Sequence, residues 1–367
     1  MTSDNQDEHL LGAVASALVT IDELRDLTVF QMPYPATVQR ALDRIVLHCL
    51  RRYARPPKSV PGLVRWGYER HLGGWPLTLP DGVYPADGFL VDAESGAPTA
   101  LCHEIALCAE TDNPLQEASR RMATMTDLAS EYSQAPAYGT LRGVLATHPV
   151  LTNDLLNNVR FANRLGALDE HLGDFYHPIG LEYEIDGAVF PCANCSTPLR
   201  LTAAGSWWCE REECGTGGAV SPGAPLDWDA KVLMQMGRKH RQFVSGPGRT
   251  VLRIANSLKL PGVTVRRWPV HGPGDLRVEL PGVHAWTALI VDWHSPVLLG
   301  RAIAVAMSRY GADTAIWVVA QYRVDADPDY LRVVREHATV ATGTPQVCSE
   351  EEFTDMVRRH SKESGHA

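Results

Sequence analysis

Four cysteines at metal-ligand spacing carry the most specific chemical signal in this chain. Cys192 and Cys195 form C-x2-C within FPCANCSTPL, Cys209 and Cys214 form C-x4-C within WWCEREECG, and thirteen residues separate the pairs. Two knuckles on a short hairpin can set four thiolates tetrahedrally around Zn2+, with Zn–S near ~2.3 Å. Thiolates with apolar flanks suit a borderline-soft ion better than Mg2+ or Ca2+. Because all four ligands come from protein, such a site is closed and structural, holding a segment too small for a core of its own. Buried free thiols and a redox pair are the competing readings, and the C-x4-C half is looser than the usual C-x2-C. Cys102 and Cys108, with His103 and Glu104, share a helical pattern and are expected as buried thiols and a satisfied polar pair.

A second constellation is carboxylate-based. Asp275 follows HGPG at the start of a strand pattern, Asp292 falls near the end of the next one, His294 is two residues further, and Glu279 is four after Asp275. Residues four apart on a strand share a face. Two carboxylates near one strand pair can hold Mg2+ for phosphodiester hydrolysis, with a cation to steady the developing charge. Asp275, Asp292, Glu279 and His294 are therefore the candidate catalytic residues, with His294 where a lysine is wanted. The plain alternative is four solvated strand-end residues.

A third feature is electrostatic. The chain is acidic overall, with a net charge of −9, yet no Asp or Glu occurs from Ala230 to Gly274. That stretch holds Lys231, Arg238, Lys239, Arg241, Arg249, Arg253, Lys259, Arg266 and Arg267, with His240 and His271. A cation run without an anion is the footprint expected where a polyanion binds, which makes Arg249, Arg253, Lys259, Arg266 and Arg267 the candidate DNA contacts. A solvated helix face followed by a linker would have the same composition.

The elements that must position these groups form three parts. At 367 residues and 45% hydrophobic, the composition is globular and two or three domains are expected. Residues 1–180 read as a mostly helical domain, with helical spacing over His9–Leu27, Ala36–Arg52, Pro98–Glu110, Leu115–Tyr132 and Pro149–Asp169. A Pro/Gly-rich interval, Pro56–Gly96, reads as ordered loops. Residues 181–224 form the small zinc ribbon. Residues 225–367 alternate: helices Asp227–Val244 and Gly248–Leu260, then strands Val263–Pro269, Asp275–Leu280 and Trp286–Trp293. Helix Pro296–Tyr310, strand Thr314–Val324, helix Pro328–His337, strand Gln346–Cys348 and helix Glu350–His360 complete the order. The runs TALIVDW and TAIWVVAQY suit strands buried on both faces. The fold class is thus α/β.

This order resembles the PD-(D/E)xK restriction-endonuclease fold. The segments PGRTVLRIANSL, VRRWPVHGPGDLRVEL and WTALIVDWHSPVLLGRAI resemble the endonuclease-like proteins encoded beside prokaryotic PIWI-RE (Argonaute-like) proteins and a DinG-type helicase. QMPYPATVQRALDRIVLHCLRR and PTALCHEIAL resemble the helical domain attached to them. The resemblance implies a role in defence against plasmids or phage, with the PIWI-RE protein and the helicase as partners and DNA as target. It also exposes a departure. Members tend to read W-A-I-D-V-K-D-W across the catalytic strand; laid over Trp286–Trp293, this puts Leu289 at the acid and Val291 at the lysine, and a helix-borne Glu falls near Val251. The chain has five lysines, Lys58, Lys231, Lys239, Lys259 and Lys362, and none lies between Pro261 and Ser361. Either His294 and Asp292 rebuild the site or the fold persists without cleavage.

The expectation is a DNA-engaging, restriction-endonuclease-like component with a degenerate or inactive nuclease site, binding structural Zn2+ and, if active, Mg2+. The alternatives are a non-catalytic zinc-ribbon DNA-binding or assembly subunit with no nuclease ancestry, and a zinc-stabilised structural protein indifferent to DNA. RIANSLKLPGVTVRRW superficially resembles a helix-turn-helix, but Pro261-Gly262 and the β-branched run favour a strand. No G-x-S-x-G elbow, P-loop or H-E-x-x-H is present. The polar, acidic N-terminus and the lack of any long apolar run point to a cytoplasmic protein without membrane contact.

Overall fold

The computed structural model describes residues 3–24, 33–109, 113–162, 165–202, 204–216, 218–229, 232–271, 274–280, 282, 285–310, 315–340 and 343–364. The expected helix ends at Leu27 and Glu110, the start of a strand at Thr314, and the cation Lys231 lie outside them. The protein is mixed α/β, with a helical N-terminal part and a C-terminal sheet. Among the described residues no helix is long and apolar enough to cross a membrane.

Two compact units are present: residues 1–120 with 293–302, and residues 121–292 with 303–367. In the first, helices Ser3–Glu23, Ala36–Arg51 and Ala100–Cys108 occur where helical spacing predicts them. Leu11, Val14, Ala15 and Leu18 of the first helix are buried, as are Val38, Leu42 and Ile45 of the second. Gly12 permits close approach, since a Cβ there would sit 2.9 Å from that of Ala109. The interval Pro56–Gly96 is not all loop: Ser59 caps helix Val60–Glu69 by accepting from the Gly62 N–H, and Trp66 meets Trp75 edge-on at 5.5 Å. Glu104 is fully buried and accepts from the backbone N–H groups of His294 and Ser295, just ahead of helix Pro296–Tyr310. It is the satisfied polar group expected there, because a carboxylate at a helix N-terminus meets donors and a favourable dipole.

The second unit is built on a five-stranded sheet. Its strands are β1 (Thr264–Arg267), β2 (Leu276–Glu279), β3 (Trp286–Val291), β4 (Ala315–Val319) and β5 (Val347–Ser349), in spatial order β5-β4-β3-β2-β1. Strands β1, β2 and β3 are antiparallel neighbours, whereas β3, β4 and β5 run parallel. The parallel steps require crossovers, and helices supply them. Burial on both faces holds only in part: Val318 and Val319 of β4 and all of β5 are buried in succession, whereas β3 and the start of β4 alternate. Ala288, Ile290, Ile316 and Val318 are buried, while their neighbours Thr287, Leu289 and Trp317 are half-buried. The buried face packs against Val251 and Ile254 of helix Gly246–Ser257, Leu258 just after it, and Phe353 and Val357 of helix Glu350–Ser364.

Three further expectations are corrected. Asp227–Val244 is not a helix: Leu233–Met236 is a strand lying between Val150–Thr152 and Tyr176–Pro178, followed by one helical turn and a π-helical turn, Arg241–Ser245. Pro149–Asp169 correspondingly opens with strand Val150–Thr152, and helix Asn153–Ala162 follows. The strand expected to run to Val324 stops at Val319, and helix Gln321–Ala326 follows.

Candidate functional site

The four cysteines converge. The Sγ atoms of Cys192, Cys195, Cys209 and Cys214 all lie within 4.8 Å of one another. The first pair sits in a turn bounded by bridges Pro191 to Pro198 and Cys192 to Pro222, and the hairpin Arg200–Leu201/Trp207–Trp208 leads into the second. Leu199, Trp207 and Val220 wrap the cluster in apolar contact. Cys195 and Cys209 Sγ are 3.5 Å apart, near the edge of roughly 3.8 Å of a tetrahedron with Zn–S of ~2.3 Å. Asn194 donates its amide to Cys214 Sγ at 3.4 Å. Crowding sets the thiols against one another. Hydrogen bonds from Cys195, Cys209 and Cys214 hold Cys192 far below the ordinary thiol range, and contacts with Cys192, Cys195 and Cys214 push Cys209 up. Four thiol sulfurs this close together in apolar surroundings make a donor set that fits a metal such as zinc.

Asp275 is placed by the turn between β1 and β2. Its C=O accepts from the N–H of Trp268, which has φ +46°, and its own N–H donates to the Ala288 C=O. Gly274 has φ +115°, and a Cβ there would lie 2.4 Å from Thr287 Cγ2, so the turn demands glycine. The Asp275 side chain lines a cavity of about 300 Å³ with Thr126, Tyr138, Arg142, Trp268 and Leu289. Its carboxylate accepts from the Ile290 N–H at 3.0 Å and pairs with the Arg142 guanidinium at 3.4 Å. Arg142 also donates to Tyr138 Oη at 3.1 Å and lies over the Trp268 ring. Leu289, the position aligned with the acid, is a wall of this cavity, and Val251, aligned with the Glu, is fully buried in the core.

Asp292 lies just past β3 with its side chain 2% exposed. Its oxygens accept from Arg211 at 2.8 Å, Arg323 at 3.0 Å and the Tyr322 hydroxyl at 2.5 Å. Burial alone would raise its pKa, but the two guanidiniums hold the carboxyl below the ordinary range. Glu279 is more exposed and pairs with Arg266 and Arg277, each at 3.4 Å. His294 belongs to the first unit. Among the described residues the cysteines alone form a group of three or more His, Cys, Asp or Glu with ligand atoms so close together, so the second unit does not gather Asp275, Asp292 and Glu279 into one metal-binding set.

The basic run is partly neutralised. Arg238 and Arg241 pair with Glu210, and Arg253 pairs with Glu213 and Glu350. Arg249 donates to the Asn194 C=O. Lys259, Arg266 and Arg267 are exposed. Pairing of β1 with β2 adds Arg277, directly opposite Arg266, with side chains 46% and 65% exposed. Only strand register reveals that neighbour. Arg142, Arg211, Tyr322 and Arg323 were likewise missed, because their carboxylate partners lie 30 to 133 residues away.

Residues 10–152 match the family model described as pPIWI_RE three-gene island domain Y, and residues 248–365 match that described as REase associating with pPIWI_RE. No curated protein and no solved structure gives a significant match. Arg142 lies within the first matched segment and Asp275 within the second. By both matched segments, the chain belongs to the restriction-endonuclease-like proteins of pPIWI_RE systems.

Proposed function

We propose that this chain is a cytoplasmic, DNA-engaging component of a pPIWI_RE defence system against plasmids or phage, in which the PD-(D/E)xK-type nuclease site has been converted to a non-cleaving one. The observation that carries the reading is the Asp275 cavity. Where a nuclease of this type needs a second carboxylate and a lysine, Leu289 forms the wall and the Arg142 guanidinium neutralises Asp275. The pPIWI_RE protein and a DinG-type helicase are the proposed partners, and target choice is assigned to them.

DNA is held, on this reading, by the exposed cations of β1 and its surroundings: Arg266, Arg267 and Lys259. Arg249 and Arg253 contribute less, being engaged with Asn194 and with Glu213 and Glu350. Affinity should fall as salt rises, because neutralised phosphates release counterions. Arg266→Ala with Arg267→Ala should weaken binding to every sequence and flatten the log–log salt slope by roughly 2. Fluorescence anisotropy over a salt series measures both; an unchanged slope would move the binding surface elsewhere.

The metal at the four cysteines is proposed to be Zn2+, one per chain. Cys195→Ser should lower zinc content and speed proteolysis within residues 185–220, while the N-terminal helices stay folded. Metal analysis of wild-type protein finding no zinc would end this assignment.

A further inference from the structure

The four residues between Cys209 and Cys214 all carry charge, and each is paired. Glu210 accepts from Arg241 at 2.6 and 2.8 Å and pairs with Arg238. Arg211 donates to Asp292. Glu212 pairs with Arg323, and Glu213 with Arg253 at 3.0 Å. These partners sit on separate elements: the one-turn helix Arg238–His240 and the π-helical turn, the end of β3, helix Gln321–Ala326 and helix Gly246–Ser257. Glu210, Arg211 and Asp292 are nearly inaccessible to water, so these are internal contacts.

A two-residue knuckle has no room for four side chains radiating to separate elements, which gives the C-x4-C spacing a reason. Holding both cysteines on one ion closes a short ring and fixes the direction of every side chain within it. A pre-organised set of charges loses little freedom on docking, whereas an open loop must be ordered at the same time.

We propose that the four-cysteine metal site acts as a clamp on the α/β module. With metal bound, Arg211 and Glu212 fix the end of β3 and the first turn of helix Gln321–Ala326; without it, both are released. The proposal rests on the cysteines being a metal site. It makes Arg211 a positioning residue whose effect reaches the strand bearing Leu289, the wall of the Asp275 cavity.

The test is hydrogen exchange on the full-length chain, with zinc content measured in parallel. Stripping zinc with a chelator should accelerate exchange several-fold at 286–291 and 321–326 as well as at 192–216, and leave helix Ala36–Arg51 unchanged. Arg211→Met keeps all four cysteines; it should retain zinc yet reproduce the loosening at 286–291 and 321–326. Glu212→Gln, a milder change, should loosen 321–326 alone. If stripping loosens only 192–216, or if Arg211→Met and Glu212→Gln both leave the sheet end protected, the clamp is wrong although the metal site stands. If the purified chain holds no metal and takes up none, the metal site and the clamp fall together.

Discussion

Asp292→Asn should destabilise the protein by about 3–5 kcal/mol, the usual cost of removing one partner from a buried charge pair. The carboxylate meets two guanidiniums and a tyrosine hydroxyl while its side chain is 2% exposed. An amide keeps the shape but leaves Arg211 and Arg323 without their common counter-charge. Denaturant unfolding measures the loss, and a change under 1 kcal/mol would show that the cluster is better hydrated than its burial indicates. The same pair fixes a pH dependence. The folded-state pKa of Asp292 lies below the ordinary value, so its stabilisation is complete above about pH 4 and is lost as pH falls through the folded value. Glu210, burial opposed by Arg241, acts in the same direction. Wild-type stability should therefore hold near pH 5 and decline below pH ~4, and Asp292→Asn should show a shallower decline.

The isolated protein should show no Mg2+-dependent cleavage of DNA. A competent metal site lowers the barrier enough for rate enhancements of roughly 10⁶-fold or more, so the contrast with background is unmistakable. Mg2+ wants several oxygen ligands in octahedral array. The Asp275 carboxylate already meets Arg142 and the Ile290 N–H, and Asp292 meets two arginines. Gel assays with supercoiled and linear DNA, with Mg2+ and with Mn2+, decide the matter. Cleavage abolished by Asp275→Ala would show that Arg142 yields its place to metal. Cleavage surviving that change would put the active centre elsewhere.

The cysteine pairs and the sequential order of the C-terminal strands and helices were legible because both are local patterns. Cysteine spacing needs no partner, and the runs around Trp286 and Ala315 are apolar enough to read as strands. Leu233–Met236 was misread because LMQM has good helix propensity, and its strand partners lie around residues 150 and 176. Tertiary pairing overrides propensity in such segments. The acid-free run was real in sequence, but Glu210, Glu213, Glu279 and Glu350 reach into it from either side in the folded chain. Asp275 stands out in the sequence by its place after a glycine turn; its guanidinium partner, 133 residues earlier, leaves no trace in local sequence.

The buried Glu104 bears on how the protein is made. It meets the His294 and Ser295 N–H groups only after about 190 more residues have been added. Chains generally fold their N-terminal domains first as they emerge from the ribosome. Here the unit containing residue 1 cannot close until residues 293–302 have left the exit tunnel. The nascent N-terminal helices must wait, incompletely packed, while most of the second unit is synthesised. A gene split between the two matched family segments would place the two parts of this unit on different polypeptides.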